Sequence, residues 1–226
     1  MHFFVSITTI KKYKVALDML IESLPNEWKN KYILIYQNEK REDHEDNYHV
    51  FEDGHIEVYI SNNLSDYGHW VGINILLEKN IIPIDTWFLF IHDTCKFLND
   101  NSSVLTYEII KKHHETDIDI LWLCSTGLCN ICLIRRKGVQ YGYDLYKDME
   151  YMSKMDTIKY EWNHDEKLSP KSWNVIQKYI DIPGKYLELR YVYNNINHRN
   201  VLLYESINME KYFFFTLKES DHPLCP

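Results

Sequence analysis

The chain is poor in the residues that interrupt and link domains. Its 226 residues include 7 glycines, 6 prolines and one alanine, Ala16. No Pro/Gly/Ser-rich stretch divides them, and with 45% hydrophobic residues the chain is long enough for a sizeable core. One large domain over residues 1–226 is the expectation. Basic charge is also scarce: 25 Lys and Arg face 33 Asp and Glu, for a net charge of −8. A nucleic-acid binder carries a basic stripe. The short run Arg135-Arg136-Lys137 is not one and reads as a solvated turn, so no nucleic-acid partner is expected. The five cysteines are an odd number without disulfide-framework spacing, which fits reduced thiols in a cytosol-like compartment. No apolar run reaches the about 18 residues of a membrane span. The first residues, Met1 to Ile7, lack a basic n-region and a cleavage site, and read as a strand. A soluble, cytoplasmic protein without a membrane span is expected. No GxxxxGK[ST], GxGxxG or GxSxG motif occurs, which disfavours a P-loop enzyme, a dinucleotide oxidoreductase and a serine hydrolase.

What is present is aromatic and β-branched, with 18 tyrosines. Phe3–Ile10 reads as a first strand. In Lys11–Leu24, the residues Leu17, Leu20, Ile21 and Leu24 recur at helical spacing, and Pro25 follows the end. Lys31–Gln37 is a continuous apolar run of the kind a parallel sheet buries on both faces. His49–Phe51 and His55–Ser61 flank Asp53-Gly54, a hairpin signal. Tyr67–Lys79 places Trp70, Ile73, Asn74 and Leu77 on one helical face, and Thr86–Ile91 is an apolar strand ending in His92-Asp93-Thr94. Strands alternating with helices predict an α/β fold with a mostly parallel central sheet flanked by helices. Ligands of such sheets bind where strands end. The second half is less regular. Helices are expected over Ser103–His114, Leu145–Met155 and Trp173–Ile180, and strands over Ile118–Cys124, Asn130–Arg135, Tyr186–Tyr193 and Lys211–Leu217.

This order of elements, with the segment Trp87-Phe88-Leu89-Phe90-Ile91-His92-Asp93-Thr94-Cys95, resembles the GT-A glycosyltransferases. In that Rossmann-like family a buried strand ends in a short acidic DxD-type motif. Here the motif reads His92-Asp93-Thr94, with one carboxylate instead of two. The resemblance covers roughly residues 3–135. It implies a nucleotide-binding half over about residues 1–95 and an acceptor-binding half over about 96–226. It further implies a nucleotide-sugar donor, a UDP-sugar before others, and a glycan or other hydroxyl acceptor. Asp93 would hold Mn²⁺ or Mg²⁺, which stabilises the departing diphosphate. Thr8, Thr9, Tyr13, Asn38, Asn74 and His92 would hold the nucleotide. Ser125–Ile131, with Thr126, Gly127 and Asn130, would line the sugar and acceptor pocket.

An inverting transferase needs a base for the acceptor hydroxyl. Asp144, Glu161 and Asp165 are the candidates, the last two in the aromatic-rich stretch Tyr160–Asp165. His164, His198 and His222 are weaker candidates for completing a metal shell. Cys129-x-x-Cys132 invites a zinc reading, but strand alternation puts the two thiols on opposite faces. Two other functions share the pattern: a non-catalytic nucleotide- or glycan-binding module on the same fold, and a nucleotidyltransferase.

Overall fold

The computed structural model describes residues 1–38, 45–62, 64, 67–116, 118–123, 131–148, 186–188, 192–196, 199–204 and 206–212. The chain opens with β1 (His2–Ile10), a 3-10 turn over Lys11–Tyr13, α1 (Lys14–Ser23) and β2 (Tyr32–Gln37). A hairpin of β3 (Asn47–Val50) and β4 (Ile56–Ile60) precedes α2 (Gly68–Glu78) and β5 (Thr86–His92). Then come β6 (Cys95–Phe97), α3 (Asn101–His113), β7 (Ile120–Trp122), β8 (Cys132–Arg135) and α4 (Arg136–Tyr146). The last described strands are β9 (Tyr186–Glu188), β10 (Val192–Ile196), β11 (Arg199–Tyr204) and β12 (Met209–Tyr212).

Among the described residues, the central sheet has eight strands in the order β3-β4-β2-β1-β5-β8-β7-β9. The pairs β4–β2, β2–β1, β1–β5 and β7–β9 are parallel, whereas β3–β4, β5–β8 and β8–β7 are antiparallel. The fold is α/β with a mostly parallel sheet, as the alternation of strands and helices predicts. A second sheet of four antiparallel strands, β10-β11-β12-β6, joins the late strands to β6.

Two cores cover the two faces of the central sheet. Leu17 and Leu20 of α1 and Ile110 of α3 pack on Val5, Ile7, Leu34, Leu89 and Ile91. Trp70, Ile73 and Leu76 of α2 and Val139 of α4 pack on Ile33, Ile35, Val58, Phe88 and Phe90. Because side chains alternate along a strand, the interior strands are apolar on both sides. All seven residues of β5 are buried.

Glycines set how closely α2 approaches. A Cβ on Gly72 would stand 2.8 Å from Ile35 Cδ1, and one on Gly68 would stand 2.6 Å from Gln37 Cδ. Only a bare backbone lets this helix face settle onto β2. The helix ends where Asn80 takes a left-handed conformation (φ 54°). Ile81 N–H bonds to Leu76 O at 3.0 Å, and Asn80 N–H to Leu77 O at 3.2 Å. That is the Schellman arrangement that satisfies terminal carbonyls.

Two expectations are corrected. Arg135-Arg136-Lys137 is not a solvated turn: Arg135 closes β8, and the next two residues begin α4. The helix foreseen over Leu145–Met155 meets only the end of α4, which runs from Arg136 to Tyr146, and residues 149–155 lie outside the described residues. Gly138 and Gly142 weaken the helical signal in sequence, yet both serve packing. A Cβ on Gly142 would lie 2.2 Å from Trp70 Cε3. The small sheet containing β6 is an addition that the sequence pattern did not suggest. The expected helix over Trp173–Ile180 lies outside the described residues.

Candidate functional site

The order of strands fixes one special place. From β1 the chain builds outwards through β2 to β4, then returns through α2 to place β5 on the other side of β1. The direction of winding reverses between β1 and β5. In open α/β sheets a crevice opens there, outside the carboxyl ends of the strands, and ligands bind in it.

Several polar residues of these two largely apolar strands gather at that end. Thr8 pairs in register with His92. One step further on, the Thr9 hydroxyl donates to Asp93 Oδ2 at 2.9 Å. Thr8, Thr9, His92 and Asp93 are 5%, 3%, 7% and 7% exposed, so the Asp93 carboxylate does not point into bulk water.

Alternation divides the groups between two faces. On the α1 face, the row begun by Asp93 and Thr9 continues through register partners to Tyr36 and Tyr59. Those rings stack 5.3 Å apart at an interplanar angle of 14°. Burial is the first cause, and Glu57 a further one, of both phenols being pushed up to about 12. The Tyr59 hydroxyl also donates to Glu57.

On the α2 face, His69 lies over β1 and β5. Its Nδ1 is 2.8 Å from Ser6 Oγ, and its Nε2 is 3.4 Å from Thr8 Oγ1. Its ring stacks on Phe90 at 4.4 Å and 14°, with the His92 ring 6.1 Å away. Ser6 and His69 are 0% and 1% exposed. Neither residue stood out in the sequence. The available signal was positional: a crossover helix begins near the carboxyl ends of the strands it follows, so polar residues in its first turn fall near the crevice.

The other candidates distribute as follows. Tyr13 and Asn38 are half-buried, in the segments that leave β1 and β2, and so belong to the same sheet edge. Asn74 lies five residues beyond His69, about 7.5 Å further along α2 at the helical rise, and its Nδ2 donates to Glu78 Oε1 at 2.9 Å. Asp144 is exposed in the last turn of α4, with Oδ1 3.9 Å from Lys147 Nζ. Glu161, Asp165, Thr126, Gly127, Asn130, His164, His198, His222, Cys124 and Cys129 lie outside the described residues. Cys132 is buried in β8, and burial pushes its thiol strongly upwards.

Among the described residues, no group of three or more His, Cys, Asp or Glu side chains forms a metal cluster. Asp93 is a single carboxylate just beyond the carboxyl end of β5. That donor set suits a hard cation that draws its remaining ligands from substrate phosphates and water, not a cage made wholly by protein. An open hollow lies at the opposite, amino edge of β5, lined by Trp87, Asp119, Arg135 and Lys137 among others. It does not include the Thr9–Asp93 pair. No described helix is long and apolar enough to cross a membrane.

No protein-family model matches the chain, and no curated protein matches it. Among solved structures, it is similar to that of the glycosyltransferase GlyE of Streptococcus pneumoniae TIGR4, at 10% identity and a TM-score of 0.42. The match covers 84% of this chain and 45% of the GlyE chain, so this chain spans less than half of that protein.

Proposed function

We propose that the chain is a glycosyltransferase that moves a sugar from a nucleotide-sugar donor, a UDP-sugar before others, to a hydroxyl acceptor. The observation carrying the proposal is the buried Thr9–Asp93 pair at the reversal of winding, with Thr8 and His92 beside it. A nucleoside diphosphate leaving group is concentrated negative charge. Mn²⁺ or Mg²⁺, when bound, neutralises that charge. Asp93 is the residue that would hold the cation, and the Thr9 hydroxyl fixes one of its oxygens. Thr8, Tyr13, Asn38 and His92, at the same edge, supply hydrogen-bonding and stacking groups for the nucleotide. Asp144, Glu161 and Asp165 are proposed for the acceptor's proton, and Thr126, Gly127 and Asn130 for the sugar.

The test is titration of UDP, GDP and dTDP with Mn²⁺, followed by turnover of the matching nucleotide sugars. Raised melting with one nucleoside diphosphate and release of that diphosphate from its sugar are expected. Release of pyrophosphate from a nucleoside triphosphate would instead identify a nucleotidyltransferase. If none of the diphosphates alters melting, the proposal fails. One second reading, a non-catalytic nucleotide binder, rests on the motif His92-Asp93-Thr94 carrying one carboxylate where the family it resembles has two. Binding without any donor cleavage would select it.

A further inference from the structure

His69 is a buried imidazole with a hydroxyl at each ring nitrogen, and both hydroxyls belong to β1. Ser6 and Thr8 are two residues apart, so they share the α2 face of the strand. The contacts differ in length. Ser6 Oγ to Nδ1 is 2.8 Å, and Nε2 to Thr8 Oγ1 is 3.4 Å. A neutral imidazole has one N–H donor and one acceptor nitrogen. One hydroxyl therefore donates to the ring, and the other accepts from it.

The short contact suits a hydroxyl donor, because O–H donors make shorter bonds than N–H donors. With the Ser6 hydroxyl donating to Nδ1, the ring proton must sit on Nε2, aimed at Thr8 Oγ1. The Thr8 hydroxyl hydrogen is then turned away from His69 and can be given to a ligand. The opposite tautomer would draw that hydrogen inwards and leave Thr8 presenting only lone pairs. An anionic ligand would be repelled by those lone pairs and bound by the hydrogen.

We propose that His69 is a positioning residue which, through Ser6 and its own Nε2–H, sets Thr8 as a hydrogen-bond donor to a nucleoside diphosphate at the β1–β5 switch point. This rests on the donor-site reading above. The relay itself is built from residues outside the acidic motif. His69 touches no ligand in this scheme. It acts by fixing which way one hydroxyl faces, and its stacking on Phe90 holds the ring plane in which both nitrogens reach β1.

The first measurement needs no ligand. Long-range ¹H–¹⁵N correlation on histidine-labelled chain near neutral pH should show His69 as the Nε2–H tautomer. A ring protonated on Nδ1, or on both nitrogens, overturns the relay. The second measurement is calorimetric binding of UDP with Mn²⁺. Thr8→Val and His69→Phe should each weaken binding about tenfold, as expected for one hydrogen bond to a charged group. The double variant should lose no more than either single one, since His69 acts on the ligand only through the Thr8 hydroxyl. His69→Gln places an amide N–H near the position of Nε2 and should bind within about twofold of the unaltered chain. Losses that multiply in the double variant, or no rescue by glutamine, overturn the relay while leaving the donor site standing. An unaltered chain that binds no nucleoside diphosphate overturns the donor-site proposal, and the relay falls with it. The tautomer measurement stands whether or not His69→Phe folds.

Discussion

The Asp93 carboxylate is 7% exposed at the end of a fully buried strand, and Thr9 donates to it at 2.9 Å. Asparagine at this position keeps the shape and keeps an oxygen to accept from Thr9. It removes the negative charge that burial disfavours. Without ligand, the stability of Asp93→Asn is therefore expected to be unchanged or raised. The ligand complex should behave in the opposite way. At a UDP concentration one hundred times its Kd, with Mn²⁺ present, binding stabilises the unaltered chain by about 2.7 kcal/mol. Losing a charge-assisted contact of about 2 kcal/mol weakens binding roughly thirtyfold. At the same UDP concentration the variant then gains only about 0.9 kcal/mol. For a chain of this length each kcal/mol moves Tm by about 2–4 °C. The ligand-induced shift should fall from about 5–11 °C to about 2–4 °C. Thermal unfolding with and without UDP and Mn²⁺ measures both halves. A variant that loses more than about 2 kcal/mol without ligand would mark Asp93 as a structural group. A variant that keeps the full ligand shift would place the cation elsewhere.

Two further outcomes test the scaffold. In Gly142→Ala the new Cβ meets the fully buried Trp70 ring at 2.2 Å. Overpacking of about 1–3 kcal/mol should outweigh the helix-propensity gain of about 1 kcal/mol, so urea unfolding should show a net loss. A stabilised variant would refute the close α2–α4 contact. Tyr36 and Tyr59 are held near 12, above their ordinary value of 10.0. The neutral phenols are the form the fold favours, so their contribution is whole below pH 10 and is lost as pH rises through about 12. Ultraviolet titration of the native chain should leave these two phenols protonated after exposed tyrosines have ionised, and Tyr36→Phe should lessen alkaline destabilisation. Ionisation of every tyrosine together near pH 10 in the folded chain would contradict it.

The first ninety-odd residues were legible because each element there carries its own signal. β1 is rich in β-branched and aromatic residues, β2 is a continuous apolar run, and α1 has a clean helical period. The β3–β4 connection carries Asp53-Gly54, with Gly54 at φ 97°. The strand ending in His92 announced itself by length and composition. Past this point the signals conflict. α4 was obscured by a charge run at its start and by Gly138 and Gly142, whose value lies in contacts with Ile134, Ile120 and Trp70 that only the fold supplies. β6 is three residues long and exists because β12 pairs with it from far along the chain. At the site, Thr9 and Asp93 were visible as strand-end residues, but their hydrogen bond spans 84 positions. His69 was hidden for a related reason. A helical wheel separates core from solvent, but it does not say which strand a buried histidine will lie over.

The placement of polar groups on β1 and β5 has a cost that folding alone does not explain. β1 lies between two parallel neighbours, with a hydrophobic core on each face. A hydroxyl, imidazole or carboxylate there loses water and must be hydrogen-bonded to be tolerated. A sequence selected only for stability would fill such positions with valine or isoleucine, as it does at Val5 and Ile7. Instead Ser6 and Thr8 serve one face and Thr9 the other, all in the half of β1 that ends at the switch point. On β5 the same end carries His92 and leads into Asp93. The opposite end of β5 has the polar Thr86, but its hydroxyl is spent locally on the Pro83 carbonyl at 2.7 Å. Desolvated polar groups on both faces, clustered at the carboxyl end of the two strands that flank the reversal and bonded between separate elements, are what the proposed ligand site would impose on a scaffold otherwise apolar there.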